Sequence, residues 1–299
     1  MVIEQVKGPH DVEGLPELLE ACRKADHHAP LGEHSLLAAV RPGIAGHTGF
    51  TACRDSDLLG YTHISELNAG EGWSVEVAVR PAERGKGVGT QLFSAAVDYA
   101  CAREGGPINL WVYGDSAPAR ALARRFGFHP ARELLQLRLD ELPSEAPPVP
   151  DGVTVSTFRP DDAAEWLQVN NRAFAWHPEN GGWTMSDLEA RMETEWFDLD
   201  GFLIARDAST GHMVGFCWTK LHEGGEVGEI YVIAVDPDRH KAGVGLFLTV
   251  AGLTSLRSKG ARSGMLYVDA DNAPAIGLYR KLGFVHHHTD TCWRRDSCP

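Results

Sequence analysis

Hydrophobic and polar positions follow two periods along the chain. In the C-terminal half, residues 153–158 read as a strand, 161–175 and 186–197 as helices, and 202–206, 213–220 and 226–235 as strands. The period then changes. Leu246, Phe247, Val250, Leu253 and Leu256 recur near helical spacing, which predicts an amphipathic helix over 243–259. Residues 265–269 read as strand, 273–282 as helix, and Phe284 opens a last strand. This order predicts an α/β (α+β) fold, a mixed and mainly antiparallel sheet flanked by helices with a βαβ end.

The first half repeats the second. One ungapped shift lays Gly87-Val88-Gly89 on Gly243-Val244-Gly245, Asp115 on Asp271, and Ala117-Pro118-Ala119 on Ala273-Pro274-Ala275. The same shift lays Leu122 on Leu278 and Gly127-Phe128 on Gly283-Phe284. Several separate blocks at one offset indicate a duplicated domain, and the period is too long for a solenoid. Between the halves, 142–152 reads L-P-S-E-A-P-P-V-P-D-G. Its four prolines suit neither a helix nor a central strand. The expected organisation is a domain over 1–141, a linker over 142–152 and a second domain over 153–299.

Both halves set a glycine loop between an apolar strand and a helix. The first runs Val77-Ala78-Val79 to Arg84-Gly85-Lys86-Gly87-Val88-Gly89-Thr90. The second runs Ile233-Ala234-Val235 to His240-Lys241-Ala242-Gly243-Val244-Gly245-Leu246. Glycine lets a ligand approach the backbone. A helix start offers unpaired N–H groups and the positive dipole end, which suit a pyrophosphate. One such loop reads best as a tight turn, whereas two at matched spacing favour a ligand. A dinucleotide fingerprint would open an early βαβ unit, but these loops come late in each half. No G-x-x-x-x-G-K-[ST] occurs, which excludes a P-loop.

Charge narrows the partners. The formal net charge of −13 disfavours nucleic acid and anionic membrane. No apolar run reaches the ~20 residues of a membrane span, and the N-terminus lacks the basic and apolar regions of a signal peptide. A cytoplasmic, monomeric protein is expected. The six cysteines form no C-x-x-C pair and are expected as free thiols. His286-His287-His288 lies on a strand, where neighbours alternate faces, so no metal site is expected there.

The pattern carried by Arg84, Gly87 and Gly89 after a strand resembles the acetyl-CoA loop of GNAT acetyltransferases. The second copy departs from it, with His240 where Gln or Arg is usual. The segment Asp271-Asn272-Ala273-Pro274-Ala275 through Tyr279-Arg280-Lys281-Leu282-Gly283-Phe284 resembles the family's N-x-x-A and Y-x-x-x-G-F block. The likeness spans nearly the whole chain. It implies two tandem GNAT domains with acetyl-CoA as donor and no metal.

Acetyl transfer to an amine requires a neutral amine, a polarised thioester and a proton for the departing thiolate. The resemblance implies that Tyr279 supplies that proton, and Ala123 at the matched place cannot. Glu229, on the strand before the loop, can take a proton from the amine, directly or through water. Its counterpart Trp73 cannot. Catalysis is therefore expected in the second half. Each residue also has a structural reading, Tyr279 as a packed helix residue and Glu229 as an edge charge.

The tandem layout, the segment from Asn171 to Trp183 and the run Gly228-Glu229-Ile230-Tyr231-Val232-Ile233-Ala234-Val235-Asp236-Pro237 look like the mycothiol synthase family. That family acetylates the cysteinyl amine of a cysteine–glucosamine–inositol conjugate. The resemblance implies acceptor contacts at Glu33, Glu179, Lys220, Glu229 and Tyr267. It implies acetyl-CoA contacts at both loops and at Asn272-Ala273-Pro274-Ala275-Ile276-Gly277. Glu33, Glu179 and Lys220 would otherwise read as solvated surface charges. The alternatives are transfer to another small amine and a non-catalytic acetyl-CoA-binding regulator.

Overall fold

The computed structural model describes residues 1–6, 8–40, 46–67, 72–103, 106–114, 116–176, 181–222, 224–239 and 243–298. Strand β1 (Val2–Val6) is followed by helices α1 (Leu15–Asp26) and α2 (Glu33–Val40), then strands β2 (His47–Arg54), β3 (Asp57–Glu66) and β4 (Trp73–Val79). Helix α3 (Val88–Cys101), strand β5 (Ile108–Val112), helix α4 (Ala117–Arg125) and strand β6 (His129–Leu139) follow. The order then recurs with β7 (Val153–Thr157), α5 (Ala163–Ala173), α6 (Met185–Met192), β8 (Phe202–Asp207), β9 (Met213–Leu221) and β10 (Val227–Val235). It closes with α7 (Val244–Ser258), β11 (Ser263–Asp269), α8 (Ala273–Lys281) and β12 (Val285–Arg295).

The strands and helices expected from periodicity are present, with one marked difference in extent. The helix expected over 186–197 stops at Met192. A capping box between Thr184 and Asp187 starts it. Beyond its end, Thr194 Oγ1 donates to the Arg191 carbonyl at 2.6 Å, and Trp196 and Phe197 turn in to pack on Trp218, each 5.7 Å away between ring centres. Aromatic burial overrides the helical pattern there.

The chain forms two compact units, one of Met1–Leu134 with Thr289–Pro299, the other of Leu135–His288. In the first, β1, β2, β3 and β4 are antiparallel neighbours and β5 runs parallel to β4. The last strand of this unit is the chain's own end. Thr291 to Arg295 of β12 pair antiparallel with Val112 to Ile108 of β5. In the second unit β7, β8, β9 and β10 are antiparallel, β11 is parallel to β10, and β6 neighbours β11.

The cores differ in chemistry. The second unit buries an aromatic cluster of Phe158, Trp166, Trp183, Phe202, Phe216 and Trp218, with Phe202 stacked on Trp218 at 4.5 Å. Trp183 packs against Trp166 of α5, with 5.7 Å between ring centres. The first unit instead buries a polar chain. Tyr61 Oη lies 2.9 Å from His63 Nδ1, and His63 Nε2 lies 2.8 Å from His47 Nδ1. Burial, then the neighbouring His47 and His34, holds the His63 imidazole down at about 3.

One sequence expectation is overturned. Cys101 and Cys298 form a disulfide, so only Cys22, Cys53, Cys217 and Cys292 are free thiols. The partners are 197 residues apart in sequence. They meet because β12 pairs with β5 and brings the chain end to the end of α3. Spacing along the chain carries no trace of that.

Candidate active site

Each glycine loop sits where a parallel strand pair parts. In the first unit β4 pairs with β5 only from Trp73 to Val75, opposite Ile108 to Leu110. In the second, β10 pairs with β11 only from Val227 to Ile230, opposite Ser263 to Leu266. Beyond those points Val77, Ala78 and Val79 stay bonded to β3, and Ile233, Ala234 and Val235 to β9. A wedge opens on their other side, with free strand edge for an extended ligand to pair with.

At the mouth of each wedge a helix begins without a side-chain cap. Gly87 (φ 85°) precedes α3 and Gly243 (φ 83°) precedes α7, both left-handed. The first-turn N–H groups of Val88, Gly89 and Thr90, and of Val244, Gly245 and Leu246, therefore face outward. A side-chain carbon built at Gly85 or Gly87 meets nothing within 4 Å. The space is open, but positive φ reserves these positions for glycine. Leu246 is exposed, as a residue at the mouth of a site would be. His240, Lys241 and Ala242 lie outside the described residues. Arg84 is committed elsewhere, as a bidentate pair with Asp26 at 2.6 and 2.7 Å.

Asn272 has a definite local task. It caps α8, its side chain accepting from the Ala275 N–H at 3.2 Å, and this fixes the helix start through Ala273, Pro274 and Ala275. Ile276 points into the core, while Gly277 leaves open space beside the helix. One turn on, Tyr279 is buried, its ring 5.8 Å from Phe284. Its hydroxyl has no hydrogen-bond partner among the described residues. Burial, then nearby Cys217, pushes its phenol well above the ordinary value, so it stays protonated throughout the physiological range.

Lys220 and Glu229 are cross-strand partners on β9 and β10, and Glu229 also faces Met265 of β11. Side chains two apart share a face, so Lys220, Glu229 and Tyr267 line one side of the sheet. Tyr279 lies on the other side, in the core with α7. Lys220 Nζ stands 4.5 Å over the Trp196 ring and 5.4 Å over Tyr231, and the Tyr231 hydroxyl accepts from Arg191 Nε at 2.8 Å. Glu229 is buried, with Oε2 2.8 Å from His222 Nε2. Tyr267 is exposed and accepts from Gln136 Nε2 at 2.7 Å.

Sequence reading did not single out His222, Gln136 or Arg191. They reach the site through register and packing, which leave no motif. In the first unit, Glu33 opens α2, and the preceding Gly32 N–H donates to Glu76 Oε1 at 3.0 Å. Tyr113 donates to the same oxygen. Glu179 lies outside the described residues. Among the described residues no three His, Cys, Asp or Glu side chains converge as metal ligands. His287 and His288 do meet, Nδ1 to Nδ1 at 3.1 Å, despite strand alternation.

The family model for the acetyltransferase (GNAT) family matches twice, at residues 14–128 and 164–284. The chain is 41% identical over 287 residues to a mycothiol acetyltransferase of Nocardia farcinica, covering 94% of this chain and 93% of the relative. It is 42% identical over 286 residues to that of Actinosynnema mirum, covering 94% and 95%. The chain is a GNAT acetyltransferase of the mycothiol acetyltransferase family. Its fold also matches a tandem GNAT protein from the clavulanic acid biosynthesis pathway, with TM-score 0.76, 18% identity and coverage of 100% and 99%.

As in other GNAT enzymes, acetyl-CoA is the acetyl donor. The residues present fit it in both units. Open strand edges at Val77, Ala78, Val79 and at Ile233, Ala234, Val235 suit the amides of its extended arm, and the uncapped helix starts suit its pyrophosphate. The first unit also holds a buried carboxylate on the strand before its loop, Glu76, bonded by the Tyr113 phenol, but not at the places of Glu229 and Tyr279. At the matched places of the first, Trp73 lies edge-on to Tyr99 and Ala123 is fully buried.

Proposed function

We infer that the chain moves acetyl from acetyl-CoA to the cysteinyl amine of a cysteine–glucosamine–inositol conjugate, the final step of mycothiol assembly. The observation that carries the acceptor is identity above 40% with mycothiol acetyltransferases, sustained over 94% of the chain. The reading assigns catalysis to the domain over 153–299 and cofactor binding without transfer to that over 1–141, with 142–152 as linker. It describes a cytoplasmic monomer acting on a small-molecule amine, with neither nucleic acid nor membrane as partner.

Bound acetyl-CoA supplies an activated thioester. Glu229 accepts the proton of the acceptor ammonium, directly or through one water, and frees the amine to attack. Tyr279, held protonated by burial, donates to the departing sulfur. Lys220 and Tyr267, on the face of Glu229, donate to acceptor oxygens. Glu33 and Glu179 accept from sugar hydroxyls or hold the ammonium. The glycine loops with His240, Lys241 and Ala242 hold the cofactor phosphates.

The test is thiol release from acetyl-CoA with and without the conjugate, with the product weighed by mass spectrometry. Acceptor-dependent release with one added acetyl group is expected. Acetyl-CoA binding without such release would redirect the search to other amines or to a regulatory role.

A further inference from the structure

Glu229 is a buried carboxylate in a sheet, and its ionised form needs a donor. On its face of the sheet Lys220 and His222 lie on the β9 side, Tyr231 on its own strand and Tyr267 on β11. Lys220 Nζ is drawn toward the Trp196 and Tyr231 rings, Tyr231 is bonded by Arg191 of α6, and Tyr267 by Gln136 of β6. His222 is the group at hydrogen-bonding distance, Nε2 to Oε2 at 2.8 Å, with side-chain exposures of 35% for the histidine and 9% for the glutamate.

The backbone fixes His222 as firmly as a strand residue. It follows Leu221, the last residue of β9, and closes the hairpin to β10. Its N–H donates to the Val227 carbonyl at 3.0 Å, and its carbonyl accepts from the Gly225 N–H at 2.9 Å. Side chains at 220 and 222 share a face, so the imidazole enters beside the carboxylate from the solvent side. A surface ion pair would be weak and mobile. Here one partner is buried and the other tethered by both backbone groups.

We propose that His222 positions the base. Its Nε2–H holds Glu229 Oε2 and leaves Oε1 for the acceptor ammonium, a hydrogen bond that favours the carboxylate over the neutral acid. This rests on the reading of Glu229 as base. Without His222, the desolvated carboxylate loses its donor and favours the neutral acid, which cannot take a proton.

The test compares His222→Leu and His222→Gln with wild type, as the ratio of kcat/KM for the acceptor at each pH. The ratio for His222→Leu should fall progressively toward acid pH and return toward wild type near pH 9. The KM for acetyl-CoA should stay constant. His222→Gln, which keeps an N–H donor, should recover most of the loss. A 13C titration of the Glu229 carboxylate, assigned with Glu229→Gln, should move upward in the Leu variant without any substrate present. A loss equal at every pH, no rescue by Gln, or an unmoved carboxylate titration in a folded Leu variant would overturn the proposal. Wild-type turnover by Glu229→Gln would instead sink the base reading, and the role of His222 with it.

Discussion

At matched places in the two units the chain makes opposite choices. The second unit sets Glu229 on the strand before its glycine loop, and the first sets Trp73. The second sets Tyr279 on the helix after the wedge, and the first sets Ala123. Yet both keep the parted parallel strands and the left-handed glycine before an uncapped helix. Binding geometry is written in backbone, so it survives as long as the fold does. The chemistry proposed for Glu229 and Tyr279 rests on two side chains, and in the first unit those places are given to packing. Trp73 and Ala123 both belong to that unit's core cluster.

This comparison can be broken in several ways. The largest effect should come from Trp73→Ala. Removing a packed tryptophan should cost about 3–5 kcal/mol of stability, read by denaturant unfolding, while acetyl transfer per folded molecule holds. A fall in transfer at full folding would make Trp73 more than a packer. Next, Tyr279→Phe should lower turnover by roughly 10²-fold, about 2.7 kcal/mol of barrier, with acetyl-CoA affinity kept. Unchanged turnover would remove the phenol from the reaction.

A third prediction concerns the first unit alone. The folded His63 imidazole resists protonation down to about 3, against an ordinary value of 6.5. Below 6.5 the unfolded chain takes up a proton that the folded one refuses, so stability falls with pH. The loss should reach about 2 kcal/mol at pH 5. His63→Gln should flatten that slope, and an unchanged slope would place the acid sensitivity elsewhere. A last substitution, Gly87→Val, separates binding from turnover. It should remove one of two acetyl-CoA sites by equilibrium binding and leave kcat within about twofold. The matched Gly243→Val should abolish transfer. Equal losses from both would mean that the two loops serve one reaction.

Much of the fold was legible because periodicity reports directly on which face of an element is buried. The strand at 153–158 and the helix at 243–259 were fixed by local pattern, and the structure keeps them nearly residue for residue. The loops were legible because they occur twice. Glu33, Lys220 and Tyr267 were visible only through resemblance, since a lone charge or tyrosine carries no period. Long-range pairing left no local trace at all. His222 meets Glu229 through a hairpin register, Gln136 meets Tyr267 across 131 residues, and Cys101 finds Cys298 through a strand from the far end of the chain.

That far strand has a consequence for how the protein is made. A ribosome finishes β5 long before it reaches residues 291–295, which pair with it. At about 5–20 residues per second, the wait is roughly 10–40 s. During that time the first unit has an unpaired strand edge, the surface most prone to stray pairing. Nascent chains arrested after residue 141 should be cleaved by protease faster than the same segment in the finished protein. The duplicated halves therefore cannot mature in the order in which they are translated, because the half that starts first is completed last.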